Sequence, residues 1–163
     1  MDKIKGSVLK LGENVDTDQI LPGYAMAEPF DQLGKFALAG CPEPDIAGKI
    51  RPGIILVAGN NFGCGSSREQ APIALKMAGV SLVVAANFAR IFRRNAINIG
   101  LPVYAADITG FVHDGDVIEV DMVHGIITCS DKSVNTIPLS AGVLKTLEYG
   151  GLIPQIRAEL HLA

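Results

Sequence analysis

The run Val80-Ser81-Leu82-Val83-Val84-Ala85-Ala86 constrains the fold more than any other part of the chain. It has no polar alternation, so it cannot lie with one face in water. It reads as a strand buried on both faces, as in the middle of a parallel sheet. Parallel strands need long crossovers, and helical spacing stands on either side. Before the run, Ile54 to Ala58 predicts a strand and Ser66 to Met77 a helix, closed by Gly79. After it, Asn87 to Asn98 places Phe88, Ile91, Phe92 and Ile99 on or near one helical stripe, and Leu101 to Ala105 predicts a further strand. Strand, helix, strand, helix, strand is the βαβ signature of a layered α/β core.

The remaining segments hang on this core. Ile4 to Leu11 predicts an opening strand, followed by a polar, turn-like stretch from Gly12 to Asp18. Residues 22–49 hold Pro29, Gly34, Gly40, Pro42, Pro44 and Gly48, with room for a short helix over Asp31 to Ala39. A connection this long and this rich in breakers is usually functional or mobile. Beyond Asp107 the texture changes. Val117 to Val120 and Ile126 to Cys129 alternate with Asp, Gly and Ser turns, which predicts a small antiparallel appendage. Ser140 is placed to cap a helix running through Glu148 to Gly150-Gly151, and Ile153 to His161 adds an amphipathic tail. Repeats and linkers are absent, so residues 1–163 read as a single domain.

The first strand-to-helix junction carries the chemistry. Between Ala58 and the helix lies Asn60-Asn61-Phe62-Gly63-Cys64-Gly65-Ser66-Ser67-Arg68-Glu69-Gln70-Ala71-Pro72. A strand, a glycine-rich turn and a helix start together build an anion site from free backbone N–H groups. Arg68 adds a planar fork for a carboxylate or phosphate, and Ser66 and Ser67 add hydroxyls. A structural account exists beside this one. Ser66-x-x-Glu69 and Ser67-x-x-Gln70 are both capping-box patterns.

Several familiar readings fail on the letters. A phosphate loop needs Lys before Ser or Thr, and here Gly65 is followed by two serines. The dinucleotide fingerprint needs a third glycine where Arg68 stands. A hydrolase elbow needs glycine two residues after its serine, and Ser67 is followed by Arg68 and Glu69. A net charge of −3 and a pI near 5.5 argue against a nucleic-acid surface. The cluster Arg90, Arg93, Arg94 reads as a solvated or site-facing helix edge. Neither a signal peptide nor a membrane span is visible, which predicts a cytoplasmic location. Cys41, Cys64 and Cys129 are odd in number and widely spaced, so neither a disulfide framework nor a metal or cluster site is expected. Cys64 reads as a small packing residue of the turn, with no histidine near it in sequence to make it a nucleophile.

Three motifs in order carry a resemblance. They are Asn14-Val-Asp-Thr-Asp-Gln-Ile-Leu-Pro22, the turn Gly63-Cys-Gly-Ser-Ser-Arg-Glu-Gln-Ala-Pro72, and Ala89-Arg-Ile-Phe-Arg-Arg-Asn-Ala-Ile-Asn-Ile-Gly-Leu-Pro102. Together they resemble the small subunits of 3-isopropylmalate dehydratase and its homoaconitase relatives, across nearly the whole chain. These subunits are similar to the swivelling fourth domain of aconitase. The resemblance implies a three-layer β/β/α swivel domain with a mostly parallel sheet. It implies a hydro-lyase that dehydrates and rehydrates a small hydroxy-dicarboxylic acid. It puts a [4Fe–4S] cluster on a separate large subunit, without which this chain is inactive.

By motif position the resemblance makes Ser66 the base, and Ser67 and Arg68 substrate binders. It leaves Asp16, Thr17, Asp18, Gly63, Gly65 and Glu69 in supporting positions. In these relatives a short motif after Pro22 meets the distal group of the substrate, and homoaconitases place an arginine at its third residue. The matching residues here are Tyr24, Ala25, Met26 and Ala27, and no arginine occurs from Gly23 to Lys49. Methionine suits an alkyl group and cannot pair a third carboxylate. Isopropylmalate is therefore the expected substrate. Dimethylmalate, methylmalate and homoaconitate enzymes stay open as alternatives, as does a carboxylate-binding module without catalysis.

Overall fold

The computed structural model describes residues 1–161. Its centre is one seven-stranded sheet in the order β4-β3-β2-β1-β5-β6-β7. The strands are β1 (Ile4–Lys10), β2 (Ile55–Ala58), β3 (Leu82–Ala85), β4 (Val103–Ala105), β5 (Val117–Asp121), β6 (Ile126–Cys129) and β7 (Lys132–Asn135). β1 to β4 pair in parallel and β5 to β7 are antiparallel. The two halves meet on β1, whose Ile4–Ser7 pair antiparallel with β5 while Val8–Lys10 pair in parallel with β2. All of β2 and β3 is buried, as an unbroken apolar run requires.

The two faces of the parallel half lead into different cores. Leu56, Ala58, Val83, Ala85 and Val103 face a core shared with the helices α2 (Gln70–Met77) and α3 (Arg90–Asn98) and with the 22–49 region. Ile55, Val57, Leu82, Val84 and Tyr104 face a second core with Ile118 and Val120 of β5 and Ile127 of β6. The antiparallel half therefore curls over the back of the parallel half, giving β, β and α layers. At ~25 cal/mol per Å² of apolar surface, each fully buried Leu or Ile in these cores contributes roughly 1.5–3 kcal/mol.

Three local expectations change. The polar stretch before Asp18 hides a short helix, α1 (Thr17–Ile20), with Asp16 at its N-cap accepting from the Gln19 N–H at 2.9 Å. The 22–49 stretch is packed, not loose: it forms 3₁₀ turns at Gly23–Ala25, Phe30–Phe36 and Ala47–Lys49 and buries Leu33, Ala37, Leu38 and Ile46. Gly34 lies so close to α2 that a Cβ there would sit 2.9 Å from the Met77 carbonyl carbon. Finally, α2 begins at Gln70 and not at Ser66. The C-terminal helices are α4 (Ala141–Glu148), capped by Ser140 as expected, and α5 (Leu152–Glu159).

Candidate functional site

The site forms where β1, β2 and β3 end on the same edge of the sheet. After β2, residues 59–64 run beside the segment after β1: Gly59 N–H donates to the Gly12 carbonyl at 3.1 Å, Asn14 N–H to Asn60 at 2.9 Å, and Gly63 N–H to Val15 at 2.8 Å. Thr17 N–H then donates to the Cys64 carbonyl at 2.9 Å. Side chains tie in the end of β3 as well. Asn87 accepts from the Asn61 N–H at 2.7 Å and donates to the Asn60 side chain at 2.7 Å. Asp16, Thr17 and Asp18 are thereby delivered next to the turn.

Two glycines permit this close approach. Gly63 has φ +82° and Gly65 φ +94°, conformations that cost L-residues energy. A Cβ on Gly63 would sit 2.3 Å from Phe92, so α3 packs directly on the turn. Phe62, Phe88 and Phe92 form the joint, with Phe62 edge-on to Phe88 at 5.8 Å and to Phe92 at 5.3 Å. The Ala89 N–H donates to the Phe62 carbonyl at 2.9 Å, fixing the start of α3.

The capping boxes do not form. Glu69, in helical conformation, precedes α2, and no side chain caps the helix. Tertiary contacts hold the chain open before Glu69. Thr17, buried to 3% exposure, donates its hydroxyl to the Ser66 carbonyl at 2.8 Å, and its Oγ1 lies 3.5 Å from Ser66 Oγ. Arg68 donates to the Leu21 carbonyl at 2.9 Å and forms an ion pair with Asp18. Among the described residues the backbone N–H groups of Gly65, Ser66, Ser67 and Arg68 donate to no protein acceptor, so they are available to an anion. The capping role therefore no longer competes for Ser66.

A cleft of about 230 Å³ opens here, lined by Thr17, Gly63, Gly65, Ser66, Ser67 and Arg68 on one wall. Its other wall is α3 and the residue before it: Ala89, Arg90, Ile91, Phe92 and Asn95. The expected turn residues thus converge, with Asp18 behind Arg68, Asp16 capping α1 and Glu69 beyond the lining. Ile91 and Asn95 were not expected as site residues, and Arg90 was expected only within a solvated or site-facing helix edge, of which it takes the site-facing place. The helical stripe was visible in the sequence, but which flank faces the turn depends on the Phe92 contact at Gly63.

The two residues expected from the specificity loop do not line the cleft. Tyr24 is 72% exposed and stands edge-on to Phe36, with ring centroids 6.0 Å apart. Met26 packs against the helix-side core. The loop does begin at the site, since a Cβ on Gly23 would lie 3.9 Å from Arg68 Nη2.

The thiols stand apart from one another, and Cys41, Cys64 and Cys129 are all free. Burial, then Glu43 and Asp16, push the Cys41 thiol up to about 11. Among the described residues no group of three His, Cys, Asp or Glu side chains could hold a metal ion. These residues do not fit an iron–sulfur cluster, which needs converging thiolates. No described helix is long and apolar enough to cross a membrane.

Comparison with known proteins agrees with this geometry. Residues 44–106 match the aconitase C-terminal domain family. The chain is 47% identical to a 3-isopropylmalate dehydratase small subunit from Halothermothrix orenii, covering 99% of each chain. It is 45% identical to an isopropylmalate/citramalate isomerase small subunit from Methanocaldococcus jannaschii, covering 96% of this chain and 95% of the relative. A methanogen homoaconitase small subunit from Methanothermobacter thermautotrophicus is 47% identical, covering 92% of this chain and 88% of that one. A crystal structure of 3-isopropylmalate dehydratase from Methanocaldococcus jannaschii superposes with a TM-score of 0.91 at 38% identity, covering 98% of this chain and 96% of that chain. With this fold, this turn and identity along nearly its whole length, the chain belongs to the 3-isopropylmalate dehydratase small-subunit family, within the aconitase superfamily.

Proposed function

We propose that this chain is the small subunit of a two-subunit hydro-lyase that isomerises 2-isopropylmalate to 3-isopropylmalate by dehydration and rehydration, a step of leucine biosynthesis. The observation that carries the reading is the convergence of Ser66, Ser67 and Arg68 on one cleft, with Arg68 tethered by Asp18 and Leu21. In this reading a large subunit carries the [4Fe–4S] cluster, and its iron supplies Lewis-acid chemistry to the leaving hydroxyl. The residues of this chain bind the substrate and move its proton.

Arg68 and Ser67 hold a substrate carboxylate. Ser66 removes the proton from the carbon next to that carboxylate. A serine hydroxyl is a weak base, so its ionised form needs help. The unpartnered N–H groups of residues 65–68 and the Arg68 charge provide it, in the manner of an oxyanion hole. Glycine at 63, where a Cβ would strike Phe92, and glycine at 65, where it would touch Thr17 and Asp16, let the turn pack this closely. On return, water adds across the double bond of the unsaturated diacid and Ser66 gives the proton back.

Among related substrates, the absence of arginine from Gly23 to Lys49 disfavours one with a third carboxylate, as in homoaconitate. The test is Ser66→Gly in the complex reconstituted with its large subunit. Ser66 caps no helix, so the fold should be unchanged while kcat falls about 10²-fold or more. Near-wild-type kcat on isopropylmalate would remove Ser66 from the mechanism.

A further inference from the structure

We infer that the exposed edge of α3, formed by Ile91, Arg93 and Arg94 with Arg90 at the rim of the cleft, is a docking surface for an acidic patch of the large subunit. The inference rests on the two-subunit reading above and adds where the partner sits and what it presents.

The argument begins with local charge. α3 holds three arginines within five residues and no acidic residue. Arg90 opens the helix, and Ala89 before it supplies no side-chain cap. Cations at this end oppose the helix dipole, so the arginines do not serve α3 itself. Among the described residues none of the three forms an ion pair. By contrast Arg68 is held by Asp18 and the Leu21 carbonyl, and Arg51 by the Gly48 and Ile50 carbonyls. The chain as a whole is acidic, with a net charge of −3, so this edge is a local exception. A local rule broken with no gain inside the subunit points to a group outside it.

Place identifies the partner. Arg90 and Ile91 are exposed and also line the cleft, so they form its rim, facing the exposed Gly65, Ser66 and Ser67 on the other wall. In the reading above the iron comes from the large subunit, which must then cover this mouth and touch its rim. Arg94, also exposed, stands one helical turn beyond Arg90 on the same side. Ile91, 41% exposed, lies beside both. An apolar residue flanked by arginines has the make-up of an interface centre and its margin. Carboxylates on the facing surface would compensate the arginines and steer the two subunits into register. A second copy of this chain is a poor occupant, because an isologous contact would set these arginines against one another.

The test is titration of the full chain with its large subunit, followed by sedimentation velocity at low salt and at about 0.5 M NaCl, where charges are screened within about 4 Å. The variants are Arg94→Glu, the double change Arg93→Gln with Arg94→Gln, and Lys132→Glu. Arg94 lies outside the cleft lining, and Lys132, on the edge strand β7, gives the same change in net charge far from the cleft. Turning an attraction between exposed charges into a repulsion should weaken association roughly 3- to 30-fold at low salt. The difference should shrink at high salt. The double glutamine variant should lose less and flatten the salt dependence, and Lys132→Glu should associate like wild type. At saturating large subunit Arg94→Glu should keep its kcat, and its urea midpoint as an isolated chain should not fall. Wild-type association of Arg94→Glu at low salt overturns the assignment. So does equal weakening by Lys132→Glu, which would make the effect one of net charge. Self-association of the isolated chain that Arg94→Glu abolishes overturns it too, because the face would then join two copies. Binding is read without turnover, which keeps the two failures apart. A wild-type pair that associates with the expected salt dependence but turns over no isopropylmalate removes the proposed substrate and leaves the docking surface. A wild-type pair that does not associate overturns both.

Discussion

On one side of β1 the strands run parallel, lie buried on both faces and lead into long connections. On the other side they run antiparallel, alternate buried and exposed residues and turn back through tight loops. The difference explains where chemistry can sit. Parallel strands all finish on one edge, so the segments after β1, β2 and β3 meet there and pool their side chains. Hairpins return to alternate edges and pool nothing. Every residue lining the cleft comes from the parallel half, its connections or α3. The antiparallel half covers the back of the sheet with Ile118, Val120 and Ile127. One half positions the residues that line the cleft and the other supplies stability.

The sharpest way to break that division is to damage the antiparallel half alone. Ile127 is fully buried, paired with Val120 on one side and Val134 on the other. Ile127→Ala should cost about 2–5 kcal/mol, the range for an emptied core position. Urea unfolding should show that loss, while kcat of the assembled, folded complex stays at the wild-type value. A parallel fall in kcat would show that the back layer sets the geometry of the cleft, and the division would not hold.

Glycines in the two halves allow a finer comparison. Gly63 and Gly115 have nearly the same φ, +82° and +87°. A Cβ on Gly115 would meet nothing within 4 Å, whereas one on Gly63 would strike Phe92. Gly115→Ala should therefore cost only the backbone strain, about 1 kcal/mol. Gly63→Ala should add about 1–3 kcal/mol of overpacking and also lower kcat, because α3 must move off the turn. Unfolding midpoints and turnover of the two variants check this. Equal losses would mean that the Phe92 contact yields freely and does not set the cleft width.

The same contrast accounts for what the sequence could reveal. Strands β2, β3 and β4 were legible because burial on both faces leaves apolar runs that no helix or loop of that length shares. β5 and β6 were legible from the Asp and Gly turns between them. β7 was not, since Lys132-Ser133-Val134-Asn135 is largely exposed and polar, and only its pairing with β6 makes it a strand. The Ser66–Ser67–Arg68 convergence could be expected from the motif, but the start of α2 could not. Local pattern favoured capping at Ser66, and bonds from Thr17 and to Leu21, about fifty positions away, prevailed. Helix α1 was hidden for a related reason. With four residues and one side-chain cap, it exists because Ile20 and Leu21 are buried by distant segments. Arg90 is a half-legible case: the sequence left its helix edge either solvated or site-facing, and an aromatic contact between two elements puts it at the cleft.

The smallest expected effect lies at Cys41, in the connection packed over the parallel half. Its sulfur lies 3.9 Å from the Gln19 carbonyl, and burial raises its pKa to about 11. An unfolded thiol titrates near 8.5. The native state therefore holds its proton where the unfolded chain releases it. This contribution to stability is fully present below about pH 8.5 and is lost as pH rises toward 11. Cys41→Ser carries no group that titrates in this window. Between pH 8 and pH 10.5 the wild-type urea midpoint should drop more than that of Cys41→Ser, with the lysines and tyrosines common to both. Iodoacetamide should likewise leave Cys41 unmodified at pH 8 in the folded chain. Parallel pH profiles for the two proteins would show that the thiol ionises as freely as in the unfolded chain, and that the packing of this connection is looser than its buried Leu33, Ala37 and Leu38 require.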